Sequence, residues 1–406
     1  MDLTQATNRS ALRDRLQSDL LDRIVPFWIR HGVDSRHGGL LTSLDRRGEV
    51  LDTDKSIWAQ GRFAWLTGEL IRQFGDKPAW RAAGCGTLDF LDRFGFDPAD
   101  GRMWFQVTRR GQPIRKRRYS FAESFAALGY ASLAVVTGNR SWRKRAVQCF
   151  ETFRDSPAAS TAAKYTPTRR VRSIGQPMIA LGVARQLQQL IDYPQAGMVI
   201  DQALEQIEND FCRPDLQCVL ENTAAPSADL DHFDLRTLNP GHAIEAAWFV
   251  MREGQWQNRI ELVERGCRML DWMWKRGWDA QYGGIFCCVS VDDRPIQEYW
   301  HEMKFWWPHN EAIIATLLAW VLTGDSIWAK RFATVWHWSL DRFPDPQGEE
   351  WFGYLNRDGT VNSTLKGNLW KGAFHVPRMY LECLRILDEF TARQPVLPVR
   401  APGDGR

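Results

Sequence analysis

Two kinds of hydrophobic pattern alternate along the chain, and both predict helices. In the first kind, apolar residues such as Ile200, Leu204 and Ile207 recur at helical spacing among charged residues. This pattern predicts an amphipathic helix with one side in water. In the second kind, small and apolar residues fill the whole segment, as in 121–136 and 312–322. A helix that is apolar nearly all round is buried on every side, so the alternation predicts outer helices packed around inner ones.

Loops with an aspartate, then glycine, then an apolar residue separate these helices. Together with weaker copies near Asp155 and Asp215 they recur about every sixty residues, six times, which is the signature of a repeated supersecondary unit. Six such units predict an all-α fold, the (α/α)6 barrel of six helical hairpins, with short β-hairpin loops at its mouth. The clear copies of the loop are 34–40, 97–103, 279–285 and 345–351.

The inner helices all run the same way, so their N-termini would converge at one end of the barrel, the predicted mouth. No linker divides the pattern, and we predict one catalytic domain over 1–392, followed by a disordered tail over 393–406. Glycines that follow Thr137 and Thr323 are expected to end two inner helices. The predicted starts of the inner helices are Gly61, Phe121, Gln176, His242, Asn310 and Phe374.

Composition narrows the class of protein. With 44% hydrophobic and 12% aromatic residues among 406, the chain can bury a large core. No apolar run approaches the roughly 18 residues of a membrane span, and the first residues lack an apolar signal core, so we expect a cytoplasmic protein that binds no membrane. The net charge of +3 is too small to indicate nucleic acid. The eight cysteines form no CxxC pair, and we interpret them as buried thiols.

Polar side chains occur at the predicted helix starts, where they can take part in chemistry. His242 and His375 each lie in the first turn of a different inner helix and would face one another across the barrel axis. The partial positive charge of a helix N-terminus is expected to disfavour an added proton on these rings and keep them ready as bases. Backbone N–H groups there would stabilise an oxyanion. The other polar candidates at the mouth are Trp58, Gln60, Arg62, Glu123, Gln176, Glu245, Lys304, His309, Glu311 and Arg378.

Each candidate also has a structural interpretation. A histidine beside an apolar helix is most often a buried residue with satisfied hydrogen bonds. Glu245 and Glu311 follow helix starts, where their negative charges could simply stabilise the helix by complementing its dipole. Arg62 lies in an apolar helix and needs a partner, either a substrate oxygen or a glutamate. Neither HExxH nor CxxC occurs, and no GxxxxGK[ST] phosphate loop is present, so we expect no metal and no covalent cofactor.

Four segments taken together resemble the N-acylglucosamine 2-epimerase family, which was also described as the renin-binding proteins. The resemblance covers nearly the whole chain and implies an α/α barrel related to the cellobiose 2-epimerases and mannose isomerases. The segments are KSIWAQGR at 55–62, NPGHAIEAAW at 239–248, KFWWPHNE at 304–311 and WKGAFHVPR at 370–378.

The resemblance also implies roles for individual residues. His242 and His375 would be the acid–base pair, and Arg62 and Glu311 would be needed for activity. Other implied properties are a homodimer and, as in many members, ATP as an activator that is not consumed. The basic loop 109–118, with six basic residues, and the segment 367–372 are the candidate nucleotide contacts. The predicted substrate-binding residues are Arg62, Glu311, Glu245, Trp58, Lys304, His309, Gln176 and Trp306.

Three functions stay open at this point. Inverting C2 of an open-chain sugar requires a proton to leave one face and return to the other, which two histidines can do. The first function, which the resemblance implies, is interconversion of N-acyl-D-glucosamine and N-acyl-D-mannosamine. The second is epimerisation or aldose–ketose isomerisation of mannose, glucose or cellobiose-like sugars. The third is a glycoside hydrolase that uses Glu245 and Glu311, a lyase, or a binding protein without turnover.

Overall fold

The computed structural model describes residues 2–116, 120–156, 171–224 and 232–392, and these are mostly helical. Contacts divide the chain into two compact units. Unit 1 comprises Met1–Ile24, Glu208–Ser363 and His375–Arg406, and unit 2 comprises Val25–Ile207 and Thr364–Phe374. The predicted tail and the end of the basic loop, Arg117 and Arg118, lie outside the described residues. Within the described part of the chain, no helix has both the length and the apolar character needed to cross a membrane.

The described residues form fourteen α-helices, numbered in chain order. They are α1 (Ala6–Ser18), α2 (Val25–Phe27), α3 (Ile57–Phe74), α4 (Pro78–Phe94), α5 (Phe121–Thr137), α6 (Arg140–Asp155), α7 (Gly175–Ile191), α8 (Ala196–Gln206), α9 (Phe233–Arg236), α10 (Pro240–Gln257), α11 (Ile260–Gly277), α12 (Trp306–Thr323), α13 (Ser326–Arg342) and α14 (His375–Ala392). The π-helical segments in these residues are Asp19–Ile24, Trp28–Gly32 and Ile207–Phe211.

Fourteen short strands occur in the same described residues. They are β1 (Ser43–Leu44), β2 (Val50–Asp52), β3 (Lys55–Ser56), β4 (Gln106–Val107), β5 (Pro113–Arg115), β6 (Val171–Ser173), β7 (Cys212–Arg213), β8 (Cys218–Val219), β9 (Asn222–Ala224), β10 (Thr237–Leu238), β11 (Val289–Ser290), β12 (Lys304–Phe305), β13 (Tyr354–Leu355) and β14 (Val361–Ser363). Unit 2 contains the antiparallel sheets β1-β2 and β3-β4-β5. Unit 1 contains β7-β8, β10-β11 and β12-β13-β14, also antiparallel.

Buried and amphipathic helices alternate within each unit as the pattern predicts, except that the predicted inner helix α7 buries eight of its 17 residues. In unit 1, α10, α12 and α14 are buried along most of their first three turns, whereas α11 and α13 bury one face. In unit 2, α3 and α5 are the most buried helices, and α4, α6 and α8 are amphipathic. Helix α1 belongs to unit 1 and packs against α14, where Arg13 Nε donates to Asp388 Oδ1 at 2.6 Å.

The observed helix starts agree with most of the predicted ones. Helix α5 begins at Phe121 as predicted, and the glycines Gly138 and Gly324 end α5 and α12 in left-handed conformation, with φ of 71° and 70°. Helices α3 and α12 begin four residues earlier than predicted, at Ile57 and Trp306. In α12 the proline at 308 lies in the first turn, where a backbone N–H is not needed, so it does not delay the helix.

Gly61 lies inside α3 because two helices approach closely there. A Cβ atom on Gly61 would lie 2.5 Å from backbone atoms of Phe125 and Ala126 in α5. A glycine inside a helix costs about 1 kcal/mol of helix propensity relative to alanine. Here the glycine is needed for packing, and it does not mark a helix start.

The first Asp/Gly loop of unit 2, residues 34–40, has a regular hydrogen-bond pattern. Asp34 N–H donates to Gly39 O at 2.9 Å, and Gly38 N–H donates to Asp34 O at 2.8 Å. The carboxylate of Asp34 accepts from Lys55 Nζ at 3.0 Å and from Arg109 Nη2 at 2.9 Å. A buried ion pair with Lys55 therefore connects the loop to β3. A second ion pair, with the partly exposed Arg109, connects it to the turn that follows β4.

The same pattern recurs within unit 1. Asp279 N–H donates to Gly284 O and Gly283 N–H to Asp279 O, each at 2.8 Å. The Asp279 carboxylate accepts from Lys304 Nζ and from Arg357 Nε, each at 3.0 Å. The local repeat predicted from the Asp/Gly segments is thus present in both units. In each unit the ion pair uses the lysine that begins the strand just before a buried helix, Lys55 in β3 and Lys304 in β12.

Candidate active site

His242 lies at the start of α10, and the sequence before it builds that start. The side chain of Asn239 caps the helix by accepting from His242 N–H at 3.1 Å. Pro240 follows at the first helical position, where proline is favoured. The imidazole Nδ1 lies 3.0 and 3.1 Å from the two carboxylate oxygens of Glu221, to which it donates.

The charge of Glu221 decides the protonation of His242. Burial opposes a charged imidazole, but the adjacent carboxylate outweighs it and raises the pKa of His242 to about 9. The expectation that the helix N-terminus keeps this ring neutral is therefore wrong for His242. The partial charge of a helix end is weaker than a full carboxylate charge in hydrogen-bond contact.

His375 begins α14 and has a carboxylate partner of its own. Its Nδ1 donates to Glu311 Oε1 at 2.8 Å, and the ring is buried. Glu311 is fully buried in the first turns of α12. This arrangement fixes the orientation of the imidazole, as a second group does for a catalytic base.

An arginine balances the buried carboxylates beside His375. Arg378 Nη2 donates to Glu311 Oε1 at 2.6 Å and to Glu245 Oε1 at 2.5 Å. Trp248 Nε1 donates to Glu311 Oε2 at 2.9 Å. Both glutamates thus have partners inside the protein. These contacts favour a supporting role for Glu245 and Glu311, in place of the predicted contact with the substrate.

The ring of Trp307 lies against both histidines. Its centroid is 4.9 Å from that of His242 and 5.8 Å from that of His375. Gly241 makes room for it, because a Cβ atom there would lie 2.4 Å from the Trp307 ring. Trp306, the predicted substrate contact, packs edge-on against Tyr354 at 5.3 Å and against His375 at 6.3 Å. Both imidazoles therefore contact the same aromatic ring.

Unit 2 contains its own group of predicted site residues. The Arg62 guanidinium lies over the rings of Phe125, Trp58 and Phe374, with 3.9, 4.3 and 4.5 Å to the centroids. Cation–π contacts of this kind hold an arginine in one place. Gln176 is half-buried and donates from Nε2 to Phe153 O at 3.5 Å.

Lys304 and His309 bind the Asp/Gly loop 279–285 of unit 1 through its Asp279 carboxylate and its Ile285 N–H group. Lys304 is fully buried against Asp279, and burial lowers its pKa to about 8. His309 Nε2 accepts from Ile285 N–H at 2.8 Å, so its Nδ1 carries the proton and donates to Phe305 O at 2.7 Å. Burial, helped by the Lys304 charge, lowers the pKa of His309 to about 3. These contacts favour a structural role for both residues over the predicted binding role.

Gln60 performs the same task in unit 2. Its Oε1 accepts from Leu40 N–H at 2.6 Å, and its Nε2 donates to Ser56 O, four residues before it, at 3.1 Å. His309 makes the equivalent two bonds with its two ring nitrogens. Glutamine can therefore replace a neutral histidine at this place in the fold.

The variant His309→Gln is expected to keep activity at neutral pH and to unfold less readily in acid. Folded His309 has a pKa of about 3, whereas an unfolded histidine has about 6.5. Between these values the unfolded chain binds the extra proton, so the stability from neutral His309 is complete above about pH 6.5 and is lost as the pH falls. Urea unfolding at several pH values measures the difference. A loss of turnover in folded His309→Gln would instead assign His309 to the substrate.

The arrangement supports proton transfer better than hydrolysis or metal chemistry. A hydrolase needs two carboxyl groups open to a substrate, but Glu245 and Glu311 both bind Arg378 and are buried. Among the described residues, no group of three or more His, Cys, Asp or Glu side chains could hold a metal ion. Two imidazoles, each with its own carboxylate, are a general acid–base pair.

Comparison with known proteins places the chain in a family of such enzymes. The family model of N-acylglucosamine 2-epimerase (GlcNAc 2-epimerase) matches residues 39–376. An N-acylglucosamine 2-epimerase of Bos taurus is 34% identical over an alignment of 428 residues, which covers 100% of this chain and 98% of that protein. The chain therefore belongs to the N-acylglucosamine 2-epimerase family, and it is an enzyme of the isomerase class.

Solved structures show the fold. A cellobiose 2-epimerase of Bacillus thermoamylovorans matches with a TM-score of 0.81 at 17% identity, over 93% of this chain and 99% of that one. A D-mannose isomerase matches with a TM-score of 0.79 at 15% identity, over 92% and 97%. The predicted (α/α)6 barrel is confirmed.

Two residues of the site were missed by the sequence analysis. Glu221 lies in a loop 21 residues before His242, where no periodic pattern points to it. Trp307 is next to the predicted Trp306, and only the helix geometry decides which of them contacts both histidines. The triplet Trp306-Trp307-Pro308 marked the helix start, but it did not show which tryptophan lies on the face of α12 that contacts both histidines.

Proposed function

We propose that the protein interconverts N-acyl-D-glucosamine and N-acyl-D-mannosamine by moving the proton at C2 of the open-chain sugar. The observation that carries this proposal is the pair His242 and His375, which both contact Trp307 and each have a carboxylate at Nδ1. The sequence similarity to the Bos taurus enzyme over the full chain supports the N-acylated substrate.

The chemistry requires two groups on opposite faces of C2. The aldehyde of the open chain makes the C2 proton acidic, because the electron pair left behind is delocalised as an enediolate-like intermediate. One histidine takes the proton and the other delivers one to the opposite face. In the proposed mechanism Arg62 and backbone N–H groups at helix starts stabilise the negative charge on O1.

The test is incubation with N-acetylmannosamine in heavy water, followed by proton NMR of C2. The expected result is N-acetylglucosamine that carries deuterium at C2, at a rate far above an enzyme-free sample. Exchange on mannose or cellobiose alone would favour the second function, an epimerase or isomerase of unmodified sugars. Absence of exchange on all of these sugars would contradict a sugar epimerase.

The second function rests on the nature of the group at C2. A hydroxyl there lets the intermediate pass to a ketose, whereas an N-acyl group does not. The likeness to a solved D-mannose isomerase keeps this candidate in the same test. Formation of fructose from mannose would identify it.

We further propose that neither a metal nor a covalent cofactor takes part, since proton transfer at carbon between two imidazoles needs neither. ATP as a non-consumed activator stays a prediction, and the same assay with and without ATP tests it. In the basic loop, Arg109 donates to Asp34 and Lys116 to Asp97, so these two cations already have acidic partners. A homodimer and a cytoplasmic location also stay predictions, and light scattering measures the first.

A further inference from the structure

Glu221 is the acidic residue that contacts His242. It follows β8, and its side chain is 17% exposed, compared with 34% for His242. Both carboxylate oxygens lie within 3.1 Å of the same ring nitrogen. Among the described residues, the hydrogen bonds shown for this carboxylate go to His242. Its negative charge is therefore directed to a single imidazole.

The other groups that face His242 carry little uncompensated charge. Glu245 lies on the same helix, but its carboxylate accepts from Arg378 at 2.5 Å. Cys287, in the chain before β11, brings a thiol. Trp307 of α12 presents its ring at 4.9 Å, and an aromatic ring close to a cation favours the charged form. Glu221 is thus the main source of negative charge at this ring.

In the described residues, His375 differs from His242 in having a positively charged side chain, Arg378, close to its ring. Its partner Glu311 also accepts from the Arg378 guanidinium at 2.6 Å, so that negative charge is already paired. The same Arg378 nitrogen lies 3.3 Å from His375 Nδ1. A positive charge at this distance disfavours a second one on the imidazole. The carboxylate beside His375 therefore shares its charge with an arginine, whereas among the described residues the hydrogen bonds shown for Glu221 go to His242 alone.

We propose that Glu221 is a positioning residue that keeps the proton of the resting enzyme on His242, so that His242 starts as the acid and His375 as the base. This proposal rests on the proposed function for the reaction it serves. In the step, the C2–H bond breaks, its proton goes to His375 and its electron pair enters the enediolate. His242 then gives its proton to the opposite face, where the new C2–H bond forms. His375 then releases the proton from C2 to solvent and His242 takes a proton from solvent, which restores the resting state.

The experiment compares Glu221→Gln with the unaltered protein in two ways. Glutamine keeps the size and an oxygen acceptor but removes the charge. NMR titration of the His242 ring, assigned with His242→Asn, is expected to show a pKa of about 9 in the unaltered protein. In Glu221→Gln the proton affinity of His242 falls roughly tenfold or more. The fall of kcat/KM at high pH, where His242 loses its proton, therefore moves to lower pH.

Matched variants separate charge from structure. Glu221→Asp keeps the charge and is expected to keep the alkaline limb close to its original position. Asp215→Asn, in the turn between β7 and β8, removes an exposed carboxylate bound to Arg213 and is expected to leave the profile unchanged. A drop in turnover of Glu221→Gln with an unmoved limb would reduce Glu221 to a structural role and overturn the proposal.

The titration also stands apart from the proposed function, because it needs no substrate. A His242 pKa near 6.5 in the unaltered protein overturns the proposal even if epimerisation is found, and even if Glu221→Gln does not fold. A raised His242 pKa in a protein that exchanges no sugar proton would support the proton-holding role of Glu221 and contradict the epimerase.

Discussion

His242→Asn and His375→Asn are each expected to lower the rate of epimerisation by roughly 10²–10⁴-fold, the range for loss of a general acid or base. Asparagine is polar and of similar size but cannot exchange a proton near neutral pH. Each variant nevertheless keeps one base, which in His375→Asn is the unprotonated fraction of His242 and grows as the pH rises towards about 9. It can still remove the C2 proton of the epimer that presents it to the remaining histidine and return a deuteron to the same face. We therefore expect deuterium exchange without inversion.

The exchange assay identifies which histidine serves which face. One variant should exchange C2–H of the N-acylglucosamine and the other that of the N-acylmannosamine, each without forming the other sugar. His337→Asn, on the exposed face of α13, is the matched control and should retain full turnover. If both variants exchanged the same epimer, a single base would serve both faces and the two-histidine mechanism would be wrong.

The fold could be predicted because the information for it is local. Periodicity separated buried from amphipathic helices, and the Asp/Gly segments marked the loops that recur in both units. The starts of α3 and α12 were misplaced for a shared reason. Gly61 and Pro308 are helix breakers by propensity, but one allows helices to pack closely and the other occupies the first turn.

The site was less predictable because its contacts are distant in sequence. The histidines stood out at helix starts, but Glu221 acts on His242 from a loop that only the folded chain brings near. His309 looked like a site residue for the same reason as His242. The five-residue spacing of Lys304 and His309, repeated at Lys55 and Gln60, was a local signal for its structural role.

Loss of Glu311 is expected to damage both stability and turnover. Glu311→Ala leaves Arg378 without one of its two carboxylates, and it leaves His375 Nδ1 and Trp248 Nε1 without their acceptor. Breaking a buried, hydrogen-bonded charge pair by removing one partner costs about 3–5 kcal/mol. We expect that loss in the free energy of unfolding, measured by urea denaturation. Turnover should fall roughly 10²-fold or more, because the base loses its orientation.

Glu311→Gln distinguishes the charge of Glu311 from its shape. The amide oxygen can still accept one hydrogen bond, but of the two carboxylates described in contact with Arg378, Glu245 alone then keeps its negative charge. Its stability should lie between that of Glu311→Ala and the unaltered protein. Glu205→Gln, on the exposed face of α8, is the control and should unfold at the same urea concentration as the unaltered protein. If Glu311→Ala also unfolded at the same urea concentration as the unaltered protein, Glu311 would not be needed to compensate the buried charge of Arg378. A loss of turnover would then point to direct contact between this carboxylate and the sugar, as the sequence predicts.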